Sequence, residues 1–137
     1  MAGVFPSQEW LDSFVDYLNM DEKYAKTARK WEGDLLFDIE VDGTLKEHTR
    51  LYLDLWHGKC RGGGFLDEGQ ERECAFILGA PYGNFVKILK GELDPMQAMM
   101  TRKLAVKGSM AYMMRNVPTV LEFVRCARDI TDRVLGE

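Results

Sequence analysis

The sequence predicts an α+β fold: a five-stranded, mainly antiparallel sheet with helices packed on one face. Three observations lead there. Apolar residues recur with the helical period at both ends of the chain. They alternate with period two through the middle. A short alternating run then returns late, between two helical segments. That late strand joins the sheet only after a helical crossover, which leaves the helices on one side.

The elements follow in order. Ser7, just after Pro6, suits an N-cap, and Leu11, Phe14, Val15 and Leu18 then form one apolar helical face. Asp21 suits the cap of a second helix, in which Tyr24, Ala28 and Trp31 share a face and Gly33 marks the end. In Asp34–Val41, Leu35, Phe37, Ile39 and Val41 point one way, while Asp38 and Glu40 point the other. Asp42-Gly43 predicts a tight hairpin, because both central residues of a type I′ turn need positive φ. The chain returns over Thr44–His57, turns at Gly58-Lys59, and continues as a glycine-thinned strand over Cys60–Leu66. Asp67–Gln70 turns it again, and Glu73–Leu78 completes an antiparallel meander.

After Ala80-Pro81 the helical period resumes with Phe85, Val86, Ile88 and Leu89, closed by Gly91. Asp94 suits the cap of a short helix with Pro95 at its first position, where a missing N–H costs nothing. Lys103–Lys107 is the fifth strand, and Gly108-Ser109 starts the last helical segment. Its apolar face is Met110, Met113, Met114 and Val117, continued by Leu121, Val124 and Ala127. Pro118 either kinks that helix or begins a new one capped by Asn116. No repeat or linker intervenes, so residues 1–137 read as one domain, its C-terminal helix extended beyond about residue 115 to near Leu135.

Composition excludes several classes of function. The net charge of −4 argues against a nucleic-acid backbone as partner. No apolar run reaches the roughly 18 to 20 residues of a membrane span. The opening MAGVFPSQEW lacks a secretory pattern, and Ala2 stands where N-myristoylation needs glycine. Cys60, Cys74 and Cys126 are scattered and odd in number, which predicts free thiols, a reducing compartment and a cytoplasmic location. No Cys-x-x-Cys spacing occurs, so no zinc site is expected, and nothing calls for a cofactor.

A catalytic constellation is also missing. His48 and His57 have opposite parity on one predicted strand and cannot share a ligand. The three serines sit in no nucleophile elbow. Arg61-Gly62-Gly63-Gly64 has the composition of a phosphate cradle without its Gly-Lys-Ser/Thr ending or a following helix.

The positive signal is the methionines. Six of the eight lie between Met96 and Met114. Methionine is unbranched and polarisable, and surfaces that must fit varied apolar shapes use it heavily. Charge is uneven in the same place: residues 1–86 balance to −7, whereas residues 87–115 balance to +4.

The run ILKGELDPMQAMMTRKLAVKGSM resembles the sterol carrier protein-2 family, in which a short helix bearing Asp-Pro-x-x-Ala leads into a Lys-Leu-x-x-x-Gly strand and a final helix. Asp94, Pro95, Ala98, Lys103, Leu104, Gly108 and Met110 match, as does Gly91 before them. Two features depart from the pattern. Arg102 stands where the family commonly has glycine, and the chain runs on well past Met114. The resemblance implies an apolar tunnel for a sterol, fatty acid, acyl-CoA or other lipid, enclosed by the sheet and its helices.

Resemblance and methionine clustering together assign the cavity lining. Phe85, Ile88 and Leu89 come from one helix, and Met96, Met99 and Met100 from the next. Leu104 and Val106 come from the strand, and Met110, Met113, Met114 and Val117 from the last segment. Leu53, Leu55 and Ile77 form the floor. Arg102, Lys103 and Lys107 are candidates for a lipid head or for contact with an anionic membrane. The function expected is binding or transfer of a hydrophobic small molecule without catalysis. The alternatives are an enzyme or accessory subunit using Asp54 or His57 near the floor, and a homodimer formed through the last helix.

Overall fold

The computed structural model describes residues 3–137, so Ala2 lies outside the described residues. The short strand β1 (Val4–Phe5) leads into helix α1 (Gln8–Met20), where the Ser7 hydroxyl accepts the Trp10 N–H at 3.2 Å. Trp10, Leu11, Phe14 and Leu18 fall on one face and are buried. The Asp21 carboxylate accepts the Tyr24 N–H at 2.8 Å and starts α2 (Glu22–Thr27). This helix ends six residues before Gly33. Trp31 reaches the core from the irregular segment beyond, its indole N–H donating to the Gly33 carbonyl at 2.8 Å.

The main sheet contains β2 (Leu35–Glu40), β3 (Thr49–Trp56), β4 (Lys59–Phe65), β5 (Phe76–Pro81) and β6 (Ala105–Lys107), in the order β4-β3-β2-β5-β6. Its hairpins differ from the sequence reading. Asp42-Gly43 makes no tight turn, because eight residues separate β2 from β3. The Asp42 carboxylate instead accepts the Thr44, Leu45 and Gly83 N–H groups, at 2.8, 3.0 and 2.8 Å. Those backbone donors hold its carboxyl below the usual aspartate value. The type I′ geometry lies at His57-Gly58, with φ of 50° and 79°. A Cβ on Gly58 would stand 2.5 Å from the Ala25 carbonyl oxygen, so only glycine fits there.

The meander also stops one strand early. β2–β3 and β3–β4 are antiparallel, but β5 begins at Phe76 and pairs with β2 in parallel, after residues 66–75 cross over. β6 then pairs antiparallel with β5. Register sets the faces. Leu35, Phe37 and Ile39 share one face with Leu51, Leu53, Phe76, Leu78 and Ala80; Leu36 shares the other with Tyr52 and Ile77.

Four helices complete the layer above the first face: α3 (Tyr82–Leu89), α4 (Pro95–Met100), α5 (Met110–Arg115) and α6 (Val117–Ile130). Asp94 caps α4 through the Gln97 N–H, and Ser109 caps α5 through the Tyr112 N–H. Pro118 starts a new helix and kinks none, while the Asn116 side chain donates to the Tyr112 carbonyl. α6 lies at the centre of the layer, touching α1 through α5; it buries Thr119, Val120, Phe123, Cys126 and Ala127, whereas Leu121 of the expected apolar stripe is 42% exposed. It ends at Ile130, short of Leu135, and β7 (Arg133–Val134) pairs in parallel with β1. All three cysteines are free thiols.

Candidate functional site

Between the sheet and α6 lies an internal cavity of about 80 Å³. A single water needs roughly 10–15 Å³ on the same measure, so this is more than a packing defect. The sheet supplies the floor: Leu35, Phe37 and Ile39 from β2, Leu51 and Leu55 from β3, and Leu78 from β5. α6 supplies the roof with Thr119, Val120, Phe123, Val124 and Ala127. Trp10 and Phe14 of α1 and Tyr24 of α2 form one side; Phe85, Ile88 and Leu89 of α3, with Pro95 and Met99 of α4, form the other. Phe5, Trp31, Leu104 and Met113 close the remaining walls.

Eight of the twenty-three lining residues are aromatic. Phe37 meets Phe85 edge-on at 5.9 Å and stacks with Phe123 at 6.0 Å, and Phe14 stands edge-on to Phe123 at 5.0 Å.

Among the described residues no charged one lines the cavity. The indole N–H of Trp10 donates to the Thr131 hydroxyl at 2.8 Å, and the Thr119 hydroxyl donates to the Thr27 carbonyl at 3.3 Å. Burial pushes the Tyr24 phenol well above its usual range, so it stays neutral. The chemistry on offer is desolvation and dispersion, with no acid, base or nucleophile poised to act. Asp54 is instead paired with Arg61 at 3.0 Å, and His57 sits in the exposed hairpin turn, 2.5 Å from Glu32. Neither reaches the wall. Among the described residues no cluster of three or more His, Cys, Asp or Glu side chains could hold a metal ion, and no helix is long and apolar enough to cross a membrane.

The sequence-derived lining divides in two. Leu55, Phe85, Ile88, Leu89, Met99, Leu104 and Met113 stand on the cavity wall. Leu53 is fully buried but lies off the cavity, beneath α1, where it meets Gly63 and Leu11. Ile77 faces the other side of the sheet, because parity turns Phe76 and Leu78 inward. Met96, Val106 and Met110 pack half-buried beside the core, and Val117 is half-buried. Met100 and Met114 are exposed, at 68% and 41%. The reason is helical phase: Met96 and Met99 of α4, and Met110 and Met113 of α5, share the core-facing side three residues apart, and the next residue of each helix lies about 100° round, toward solvent. Arg102, Lys103 and Lys107 are exposed, with Arg102 left-handed at φ 61° and Lys107 opposite Ile77, on the face away from the cavity.

Part of the wall comes from residues read only as core, such as Phe14, Phe37, Val124 and Ala127, while the sequence reading singles out none of Trp10, Val120 and Phe123. Periodicity marks Phe14, Phe37, Val124 and Ala127 as buried, but nothing local marks a buried side chain as facing a void.

The SCP-2 sterol transfer family matches residues 14–120. The chain is similar to a crystal structure of sterol carrier protein 2, with 32% identity over 90% of this chain and 96% of that one, at a TM-score of 0.80. It is also similar to the solution structure of a conserved hypothetical protein, possibly sterol carrier protein, from Thermus thermophilus, with 30% identity over 96% and 92% of the two chains and a TM-score of 0.83. The same fold recurs within the sec-alkylsulfatase Pisa1 from Pseudomonas sp., at 14% identity, covering 86% of this chain and 16% of that enzyme, with a TM-score of 0.53. A search of proteins of curated function returned no match.

Proposed function

The chain belongs to the SCP-2 sterol transfer family, for which lipid binding or transfer is the general activity, and from that premise we propose that it holds one hydrophobic guest in the cavity beneath α6. The observation that carries the reading is that, among the described residues, twenty-three line the cavity and none is charged. Such a wall stabilises an alkyl chain or fused-ring skeleton and penalises any ionised group placed inside it. A sterol, a fatty acid or an acyl-CoA would therefore leave its charged part, if it has one, outside.

The magnitude sets a lower bound on the guest's size. Burying about 300 Å² of lipid at about 25 cal/mol/Å² contributes roughly 7 kcal/mol before association costs, so micromolar binding, about −8 kcal/mol, calls for a larger lipid or a polar anchor.

Native mass spectrometry of the purified chain, with organic extraction, tests the reading. We expect a co-purifying lipid, or displacement of a fluorescent fatty acid by unlabelled lipid. Recovery of nothing, together with no fluorescent fatty acid bound, overturns it.

A further inference from the structure

A second hollow lies on the sheet face opposite the helices. A cleft of about 320 Å³ opens there to solvent, and its lining includes Tyr52, Asp54, Arg61, Arg72 and the three glycines of β4. Tyr52 shares that face with Leu36 and Ile77, so the sheet itself separates this cleft from the lipid cavity. The run Arg61-Gly62-Gly63-Gly64 lies within a strand and is no helix-terminus phosphate loop.

The glycines divide by cause. Gly62 has a φ of 147°, and a Cβ on Gly63 would stand 2.6 Å from the Tyr52 carbonyl oxygen, so the backbone requires both. Gly64 has neither reason: it lies outside the left-handed region, and a Cβ there would meet nothing within 4 Å. It pairs with Tyr52 and so faces the cleft. Its missing side chain leaves that cleft empty.

Two guanidiniums border the space. Arg61 holds Asp54 through two nitrogens, at 3.1 and 3.0 Å, which balances its charge. Arg72 takes part in no salt bridge among the described residues. Its neighbours Glu71 and Glu73 do not line the cleft. The Arg72 guanidinium lies 3.8 Å over the Tyr52 ring and donates through Nη2 to the Tyr52 hydroxyl at 3.0 Å. That hydroxyl donates in turn to Asp34 at 2.7 Å. Burial, helped by Asp34, pushes the phenol up to about 12, so it keeps its proton at neutral pH. Arg72 is thereby oriented by one bond, and its remaining N–H groups suit two acceptor oxygens side by side.

We propose that this cleft binds a small anionic solute through a carboxylate or phosphate group received by Arg72. Both groups present paired oxygens to a guanidinium fork, and the site is independent of the lipid-carrying function.

The test is a titration of the full chain with inorganic phosphate, and separately with acetate, at constant ionic strength, followed by two-dimensional amide NMR. We expect the Gly63 and Gly64 amides to shift and to saturate on the order of millimolar anion. The anion that saturates assigns the group as phosphate or carboxylate. Arg72→Gln weakens that binding about tenfold or more, as loss of a charged hydrogen-bond donor does. Gly64→Leu abolishes it by filling the cleft, at a position where the added Cβ meets nothing. Both variants keep the wild-type affinity for a fluorescent fatty acid, which binds across the sheet.

Shifts with neither anion overturn the proposal, as do shifts that rise without saturating or that survive unchanged in either variant. A changed fatty-acid affinity overturns the independence of the two sites. If Arg72→Gln lowers the unfolding midpoint by loosening the crossover, Gly64→Leu decides the matter alone.

Discussion

Ala127→Leu tests whether the space beneath α6 is real. Ala127 is the smallest side chain on the roof and is 5% exposed. Leucine adds three carbons, and at about 0.8 kcal/mol per buried CH₂ they contribute up to about 2.4 kcal/mol if they enter a void. The cavity itself gives a second figure: about 80 Å³ at about 24 cal/mol/Å³ corresponds to about 2 kcal/mol recovered on filling. Helix propensity barely distinguishes the two residues. For a chain of 137 residues this raises the midpoint of thermal unfolding by about 8 °C. The opposite premise has the opposite sign, since a leucine forced into a filled core costs about 1–3 kcal/mol. Binding supplies a second readout. A lipid at about a hundred times its dissociation constant stabilises the wild type by about 2.7 kcal/mol, and in the variant that gain shrinks because the guest has lost its room. Thermal denaturation followed by circular dichroism, with and without a fatty acid, measures both. A midpoint that falls while the lipid-induced gain stays at the wild-type value refutes the reasoning.

Arg102→Gly removes a left-handed non-glycine residue at φ 61°; set against the extra freedom of glycine in the unfolded chain, it is expected to raise stability in urea unfolding by about 0.5–1 kcal/mol. Gly108→Ala does the reverse: a Cβ there would stand 2.4 Å from the Ala75 carbonyl oxygen, at φ 126°, and the loss expected in the same assay is about 2 kcal/mol. Asp21 gives a pH dependence. Burial raises its pKa, but hydrogen bonds from Arg125 and the Tyr24 N–H outweigh burial and hold it below 3.8. A lowered folded pKa means stability present above 3.8 and lost as pH falls through the folded value. Asp21→Asn is therefore expected to cost about 1–2 kcal/mol at neutral pH and to flatten the decline below about pH 4, read from unfolding midpoints across an acid series.

The local grammar of the chain was legible without coordinates. Ser7, Asp21, Asp94 and Ser109 each cap the helix assigned to them, because a cap is a bond between a side chain and an amide two or three residues away. Alternation in Leu35, Phe37 and Ile39 identified the buried face of the first long strand, because parity is a property of the strand alone. The matched run from Gly91 to Met110 identified the family and, with it, lipid binding or transfer as the general activity. Partner choice was not legible in the same way. Asp42-Gly43 has the composition of a tight turn, yet its carboxylate serves the first turn of α3, 41 residues on, and positive φ at consecutive residues falls to His57-Gly58. Nor does any short run state that β5 will lie parallel to β2, which turns Ile77 outward. The cavity was least legible of all. A packed core and a hollow one bury the same residues with the same period, and only the assembled positions of Phe14, Phe37, Phe85 and Phe123, drawn from four separate elements, decide whether the rings meet or stand apart.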